Sequence, residues 1–122
     1  MTDLNTVISP VNIAIGIHKG WHHPKQEDNQ DLTEEQLERV WCTPDGEWCW
    51  NPHIEMDFEH DARLYMALFE EMCNENDLRL GYQRGNFRWF VKDLRDDYVF
   101  SDDLGNAICQ AYVKLKGIEV VG

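Results

Sequence analysis

Apolar and polar residues fall in blocks along the chain, and each block predicts one element. Ser9-Pro10 reads as a helix start, because Ser accepts a backbone N–H as N-cap and Pro at the next position gives up only an unpaired donor. Val11, Ala14, Ile15 and His18 then recur at helical spacing, Ile13 and Ile17 widen that face, and Gly20 is placed to end the helix. Residues 22–30 are polar, contain Pro24 and show no periodicity, which predicts an exposed loop. Asp31 to Arg39 has only Leu32, Leu37 and Val40 as anchors, so residues 22–40 read as a flexible acidic loop or a short helix starting at Asp31 or Thr33.

Trp41 to Trp50 surrounds Pro44-Asp45-Gly46, and an Asp-Gly pair between aromatic-rich runs predicts a two-residue hairpin loop. That register sets Cys42 opposite Cys49 and Trp41 opposite Trp50. Alternation then gathers Trp41, Trp48 and Trp50 on one face as a ligand or contact patch, with both cysteines on the other. From Asp57 to Asn74, Phe58, Ala62, Tyr65, Met66, Phe69, Met72 and Cys73 form an apolar helical stripe with Asp57 as its cap. Glu70 and Glu71 oppose the dipole at the end of that helix, which reads as surface charge.

Leu78 to Gln83 and Phe87 to Leu94 alternate as paired strands around Gly85-Asn86. Tyr82, Phe87 and Trp89 fall on the face opposite Arg79, Arg88 and Lys92, so aromatics are expected in the core and cations outside, not mixed as on a nucleic-acid-binding sheet. Ser101-Asp102-Asp103 opens a last helix anchored by Leu104, Ala107, Ile108, Ala111, Tyr112 and Leu115, with Gly117 ending it. Ile118 to Val121 is expected to add an edge strand. The pattern is α+β, with two antiparallel hairpins among helices in one domain spanning 1–122.

Length and composition narrow the function classes. A chain of 122 residues with 43% hydrophobic residues folds as one unit and excludes a multidomain enzyme. No stretch nears the roughly 18 apolar residues of a spanning helix, and the N-terminus lacks the basic and apolar regions of a signal peptide. A cytoplasmic protein without a membrane partner is expected. The net charge of −12 repels phosphate backbones, which disfavours direct nucleic-acid binding and favours a basic protein partner.

The charge is concentrated. Residues 27–71 hold fourteen acids against Arg39 and Arg63, and so carry the whole net charge; Arg79, Arg84, Arg88, Lys92 and Arg95 follow as a basic cluster. The candidate partner-binding residues are Glu34, Glu35, Glu38, Asp45, Glu47, Glu55, Asp57, Glu59 and Asp61, read as one acidic docking face.

Chemistry beyond binding finds little support in the spacing. His18, His22 and His23 would share a face only on a helix that continued through Gly20, and there is no Cys-x-x-Cys pair, so no metal is expected. Cytosolic conditions favour free thiols at Cys42, Cys49, Cys73 and Cys109. No nucleophile–base pair or phosphate loop stands out: Gly81-Tyr82-Gln83-Arg84-Gly85 lacks the Lys-Ser/Thr ending and reads as a turn. No enzyme and no cofactor are expected.

Val11-Asn12-Ile13-Ala14 running to Gly20-Trp21, Trp41 with Pro44-Asp45-Gly46, the helix from Asp57, and Ala107-Ile108-Cys109-Gln110-Ala111 together resemble the phage ABA sandwich domain family. The resemblance implies a sheet with helices packed on both faces, an α/β/α sandwich, and a bacteriophage or prophage origin. The acidic segment Glu27 to Arg39 departs from the family pattern, and no activity carries over with the resemblance. The leading expectation is an accessory protein that binds a basic host protein, as an inhibitor of a nucleic-acid-targeting defence such as CRISPR or restriction. The alternatives are a homo-oligomeric or virion-associated interaction module, with acidic middle on basic cluster, and a small-ligand binder walled by the three indoles.

Overall fold

Ser9 caps the first helix from its predicted position: its Oγ accepts from Asn12 N at 3.1 Å, and α1 runs Pro10–His18 before Gly20 turns the chain at φ +107°. The computed structural model describes residues 8–25, 27, 30–49, 51–93, 95 and 98–120, with only the backbone at Tyr98. The buried face of α1 is rotated from the expected one. Asn12, Ala14, Ile15 and Gly16 are buried, whereas Ile17 is 57% exposed and His18 is also outside. At Gly16 a Cβ would overlap Met56 Cε, so the helix approaches Met56 along its smallest residue.

Within 22–40 a short helix forms, α2 (Glu34–Glu38). Thr33 Oγ1 accepts from Gln36 N at 3.2 Å while Thr33 N donates to Gln36 Oε1 at 2.8 Å, a reciprocal cap, and Leu37 anchors the helix in the interior. His22 is not a free loop residue either. It exchanges backbone hydrogen bonds with Cys42, and the His23 ring lies 4.0 Å from that of Trp41.

The first hairpin, β1 (Trp41–Cys42) with β2 (Trp48–Cys49), corrects the expected register by one residue: Trp41 pairs with Cys49 and Cys42 with Trp48. Pro44 is the reason. Its φ suits the first corner of a type I turn, closed by Gly46 N to Thr43 O at 2.8 Å, after which Gly46 takes φ +91° to rejoin the strand. The loop therefore has three residues, and a one-residue shift moves side chains to the opposite face. Trp41 and Trp48 consequently lie on opposite faces, as do Cys42 and Cys49; Trp50 lies outside the described residues.

Asn51-Pro52 starts a helix of one turn, α3 (Pro52–Glu55), and the long helix then begins later than the stripe suggested, as α4 (Ala62–Glu75). Asp61 rather than Asp57 caps it, accepting from Arg63 N at 3.0 Å. The α4 face that turns inward carries Leu68 and Met72, with Leu64, Tyr65 and Phe69 packed beside them, while Met66 and Cys73 are exposed. Phe58 is buried, but from the preceding turn and not from the helix.

The second sheet runs β3 (Arg79–Gln83), β4 (Arg88–Lys92) and β5 (Tyr98–Ser101) in antiparallel order. Tyr98-Val99-Phe100-Ser101 is rich in strand formers and supplies the third strand. Ile118 to Val120 forms no strand, and Ile118 packs on the core instead; Val121 and Leu94 lie outside the described residues. The chain is α+β with two separate antiparallel sheets.

The last helix, α5 (Leu104–Lys116), joins the layers and ends at Gly117 with φ +66°. Ala107, Ile108, Cys109, Ala111 and Tyr112 are at most 3% exposed, so more than half its circumference is covered. It packs on α1 and α4 on one side and on β4 and β5 on another. Burying Ile108 alone contributes about 1.5 to 3 kcal/mol. Leu80, Val91 and Val99 share one register row, and all three belong to or pack on the core. Arg88, Phe90, Lys92 and Phe100 therefore face the other way.

Arg84–Asn86 forms a 3₁₀ turn between β3 and β4, followed by Phe87 in the left-handed region at φ +51°. Phe87, expected in the strand, is 73% exposed at this corner. Left-handed backbone costs an L residue about 1 to 2 kcal/mol, and an exposed ring returns little packing energy. Phe87→Gly should accordingly raise stability by about 0.5 to 1 kcal/mol after the entropy of Gly is counted. Urea denaturation measures this, and a lower midpoint in the variant would assign the Phe87 ring a folding role.

Candidate functional site

The acidic candidates divide into two groups. Glu34, Glu35 and Glu38 on α2, Asp45 and Glu47 in the hairpin loop, and Glu55 on α3 are all exposed, on three consecutive elements. Glu35 pairs with Arg39 at 3.0 Å, both side chains about three-quarters exposed, a pair worth well under 1 kcal/mol. Glu55 accepts from the Cys49 thiol at 2.7 Å, tying α3 to the hairpin. Among the described residues, Glu34, Glu38, Asp45 and Glu47 have no cationic partner.

Asp57, Glu59 and Asp61 are turned to structural work, which corrects their place on the docking face. Glu59 is only 8% exposed: its carboxylate accepts from Ser9 Oγ and Asn106 Nδ2, and its N–H donates to Asn12 Oδ1 at 3.1 Å. Ser9 begins α1 and Asn106 lies in the first turn of α5, so this carboxylate sits where two helix dipoles favour negative charge. Asp57 accepts from Asn12 Nδ2 at 3.1 Å and faces His60 at 2.9 Å, and that bond raises the histidine above its ordinary value. Arg63 beside Asp61 holds the capping carboxyl below the usual range. Spacing alone marked these residues as acidic; the return of α1 and α5 to the 57–61 turn reveals the role of Asp57 and Glu59, while Asp61 caps α4 locally.

Glu71 is the acid whose position against the helix dipole now has a reason. It accepts from Tyr112 OH at 2.7 Å and pairs with Lys19 and with Lys116, the latter at 3.1 Å, while Lys116 also reaches Glu75 at 2.7 Å. Both ammonium groups lie over the Tyr112 ring, at 5.3 and 5.7 Å from its centre. Burial pushes the Glu71 carboxyl up, but the bonds from Lys19, Tyr112 and Lys116 outweigh it and bring the group down to about 2. The network clamps α1, α4 and α5 together.

A carboxyl lowered on folding adds stability that is complete above its unfolded value of 4.5 and is lost as pH falls towards 2. With about a third of the side chain in water, screening limits the contribution to roughly 1 to 2 kcal/mol. Glu71→Gln should lower the melting temperature at pH 6, and the gap from wild type should narrow as pH falls below 4.5 and close only below about 2. A gap independent of pH would mean that packing, not charge, holds the three helices.

The Trp patch does not assemble as expected. Trp41 is 6% exposed within the core, and Trp48, 37% exposed, faces the other way. The four cysteines are free, and burial together with the bond to Glu55 pushes the Cys49 thiol up to about 11. Burial also raises Cys42, Cys73 and Cys109, so none of these thiols is poised as a thiolate at neutral pH. Among the described residues no group of three or more His, Cys, Asp or Glu side chains is gathered as a metal site, and no helix is long and apolar enough to cross a membrane.

A second surface was not visible from the alternation of Tyr82, Phe87 and Trp89. Phe90 and Phe100 share the outer face of the sheet with Arg79, Arg88 and Lys92, because β5 brings Phe100 opposite Phe90. Their ring centres are 6.2 Å apart, and the Arg88 guanidinium lies over the Phe100 ring at 4.2 Å. Phe90 lies across Gly81, where a Cβ would come within 2.5 Å of Cζ, so the glycine lets that ring rest on the neighbouring strand. The signal available in sequence was the even spacing from Arg88 to Phe90 to Lys92; what was missing was β5.

No family model, curated protein or solved structure matches this chain.

Proposed function

We propose that this chain is an acidic accessory protein that binds a basic host protein through α2, the β1–β2 loop and α3. The observation that carries the reading is that Glu34, Glu38, Asp45 and Glu47 are exposed and without cationic partners among the described residues, while the neighbouring Asp57, Glu59 and Asp61 are engaged in the fold. Fixed carboxylates on folded elements suit a surface built to hold phosphates, and they steer association with it. The phage setting implied by the family resemblance fits an inhibitor that works in the bacterial cytoplasm on a nucleic-acid-targeting defence enzyme, whose phosphate channel is basic.

The test compares two immobilised proteins in host lysate: wild type, and a variant carrying Glu34→Lys, Glu38→Lys, Asp45→Lys and Glu47→Lys. Wild type should retain a basic nucleic-acid-binding protein that elutes as salt rises, and the variant should not retain it. Equal retention of that protein on both would sink the reading.

A further inference from the structure

We propose that the face of the three-stranded sheet turned away from α5 binds single-stranded nucleic acid. It does not rest on the acidic-surface reading, since the two surfaces lie on different elements. From Leu78 to Lys92 the chain holds four cations, Arg79, Arg84, Arg88 and Lys92, and no carboxylate, and β5 adds no charge. In a chain of net charge −12 this is a local reversal of sign. The acids of residues 27–71 lie on other elements, and of the acids flanking these strands Asp77 and Asp93 sit at the end where β3 begins and β4 finishes.

The chemistry of the face narrows the ligand. Single strands are held by aromatic rings that stack on bases and cations that track the backbone, and both occur here on adjacent strands. Phe90 and Phe100 provide two ring positions 6.2 Å apart, with Phe100 38% exposed, Arg79 exposed on the same face, and Arg88 and Lys92 half-buried in the rows on either side. An acidic peptide would need the cations but would have no use for paired ring faces. Arg88 adds an independent sign. Its Nε–H is buried with no hydrogen-bond acceptor among the described residues, so moving the guanidinium from Phe100 onto a phosphate forfeits no described hydrogen bond at that atom. Phe87, strained and exposed at the corner next to Arg88, is a further aromatic group within reach of a strand crossing the sheet.

Fluorescence anisotropy with a labelled oligo(dT) of roughly 12 nucleotides tests this, at about 50 mM salt and above. Wild type should bind saturably and prefer the single strand to a duplex of equal length. Phe100→Ala should weaken binding about tenfold through lost stacking. Arg88→Gln with Lys92→Gln should weaken it and flatten the salt dependence by about 0.7 per lost phosphate contact. That slope keeps the test decisive if Phe100→Ala also loosens the sheet. The four-lysine variant of the acidic surface should still bind, so the two readings fail separately. No saturable signal at about 100 µM protein, equal affinity for duplex, or wild-type affinity in both variants would overturn the proposal. So would a salt-sensitive dimer in sedimentation that depends on Arg88 and Lys92, which assigns the face to a second copy of the chain.

Discussion

Gly105→Ala is expected to destabilise the protein by about 3 kcal/mol or more, or to prevent folding, although alanine is the better helix former by about 1 kcal/mol. The residue lies in the first turn of α5 and is buried. A Cβ there would overlap the Glu59 carbonyl oxygen and come within 2.7 Å of its carbonyl carbon and 2.8 Å of Tyr65 Cδ2. Backbone cannot swing aside as a side chain can, so relief requires the 57–61 turn to leave α5. That movement also breaks the bonds from Ser9 and Asn106 to the buried Glu59 carboxylate, leaving a charge underpaired. Gly85→Ala is the matched control: nothing lies within 4 Å of a Cβ there, and its effect should be within about 0.5 kcal/mol. Thermal and urea denaturation of the two variants decide the matter, and equal stability would mean that the close approach of α5 to the turn is not needed.

The second large effect is on binding. Reversing Glu34, Glu38, Asp45 and Glu47 to lysine should weaken the captured partner's affinity on the order of a hundredfold or more, with a large share in the association rate, since exposed charges act mainly by steering. The melting temperature should stay within a few degrees, because these side chains make no described ion pair in the fold. Surface plasmon resonance across a salt series separates the rates. An unchanged association rate at low salt would contradict steering by this surface.

Helix positions were largely legible from caps and periodicity, and the exceptions have physical causes. Ser9 and Gly117 act where their residue types predict. The cap of α4 moved from Asp57 to Asp61 because a turn following α3 occupies residues 58–60, and Asn51-Pro52 was the overlooked start signal of α3. The hairpin register turned on whether Pro44 or Asp45 sets the first corner, a choice that alternation cannot make. Glu59 and Glu71 could not be separated from surface acids by spacing, since their donors, Ser9, Asn106, Lys19, Tyr112 and Lys116, come from helices distant in the chain. The mixed aromatic and cationic face needed β5, which pairs Phe100 with Phe90.

On the partner, the exposed acids of α2 and the hairpin loop should occupy a site that otherwise holds phosphates. Competition measures this: labelled duplex DNA is bound to the captured partner and the chain is titrated in. Wild type should displace the DNA and the four-lysine variant should not. A ternary complex of partner, DNA and wild-type chain, or equal displacement by the variant, would contradict it.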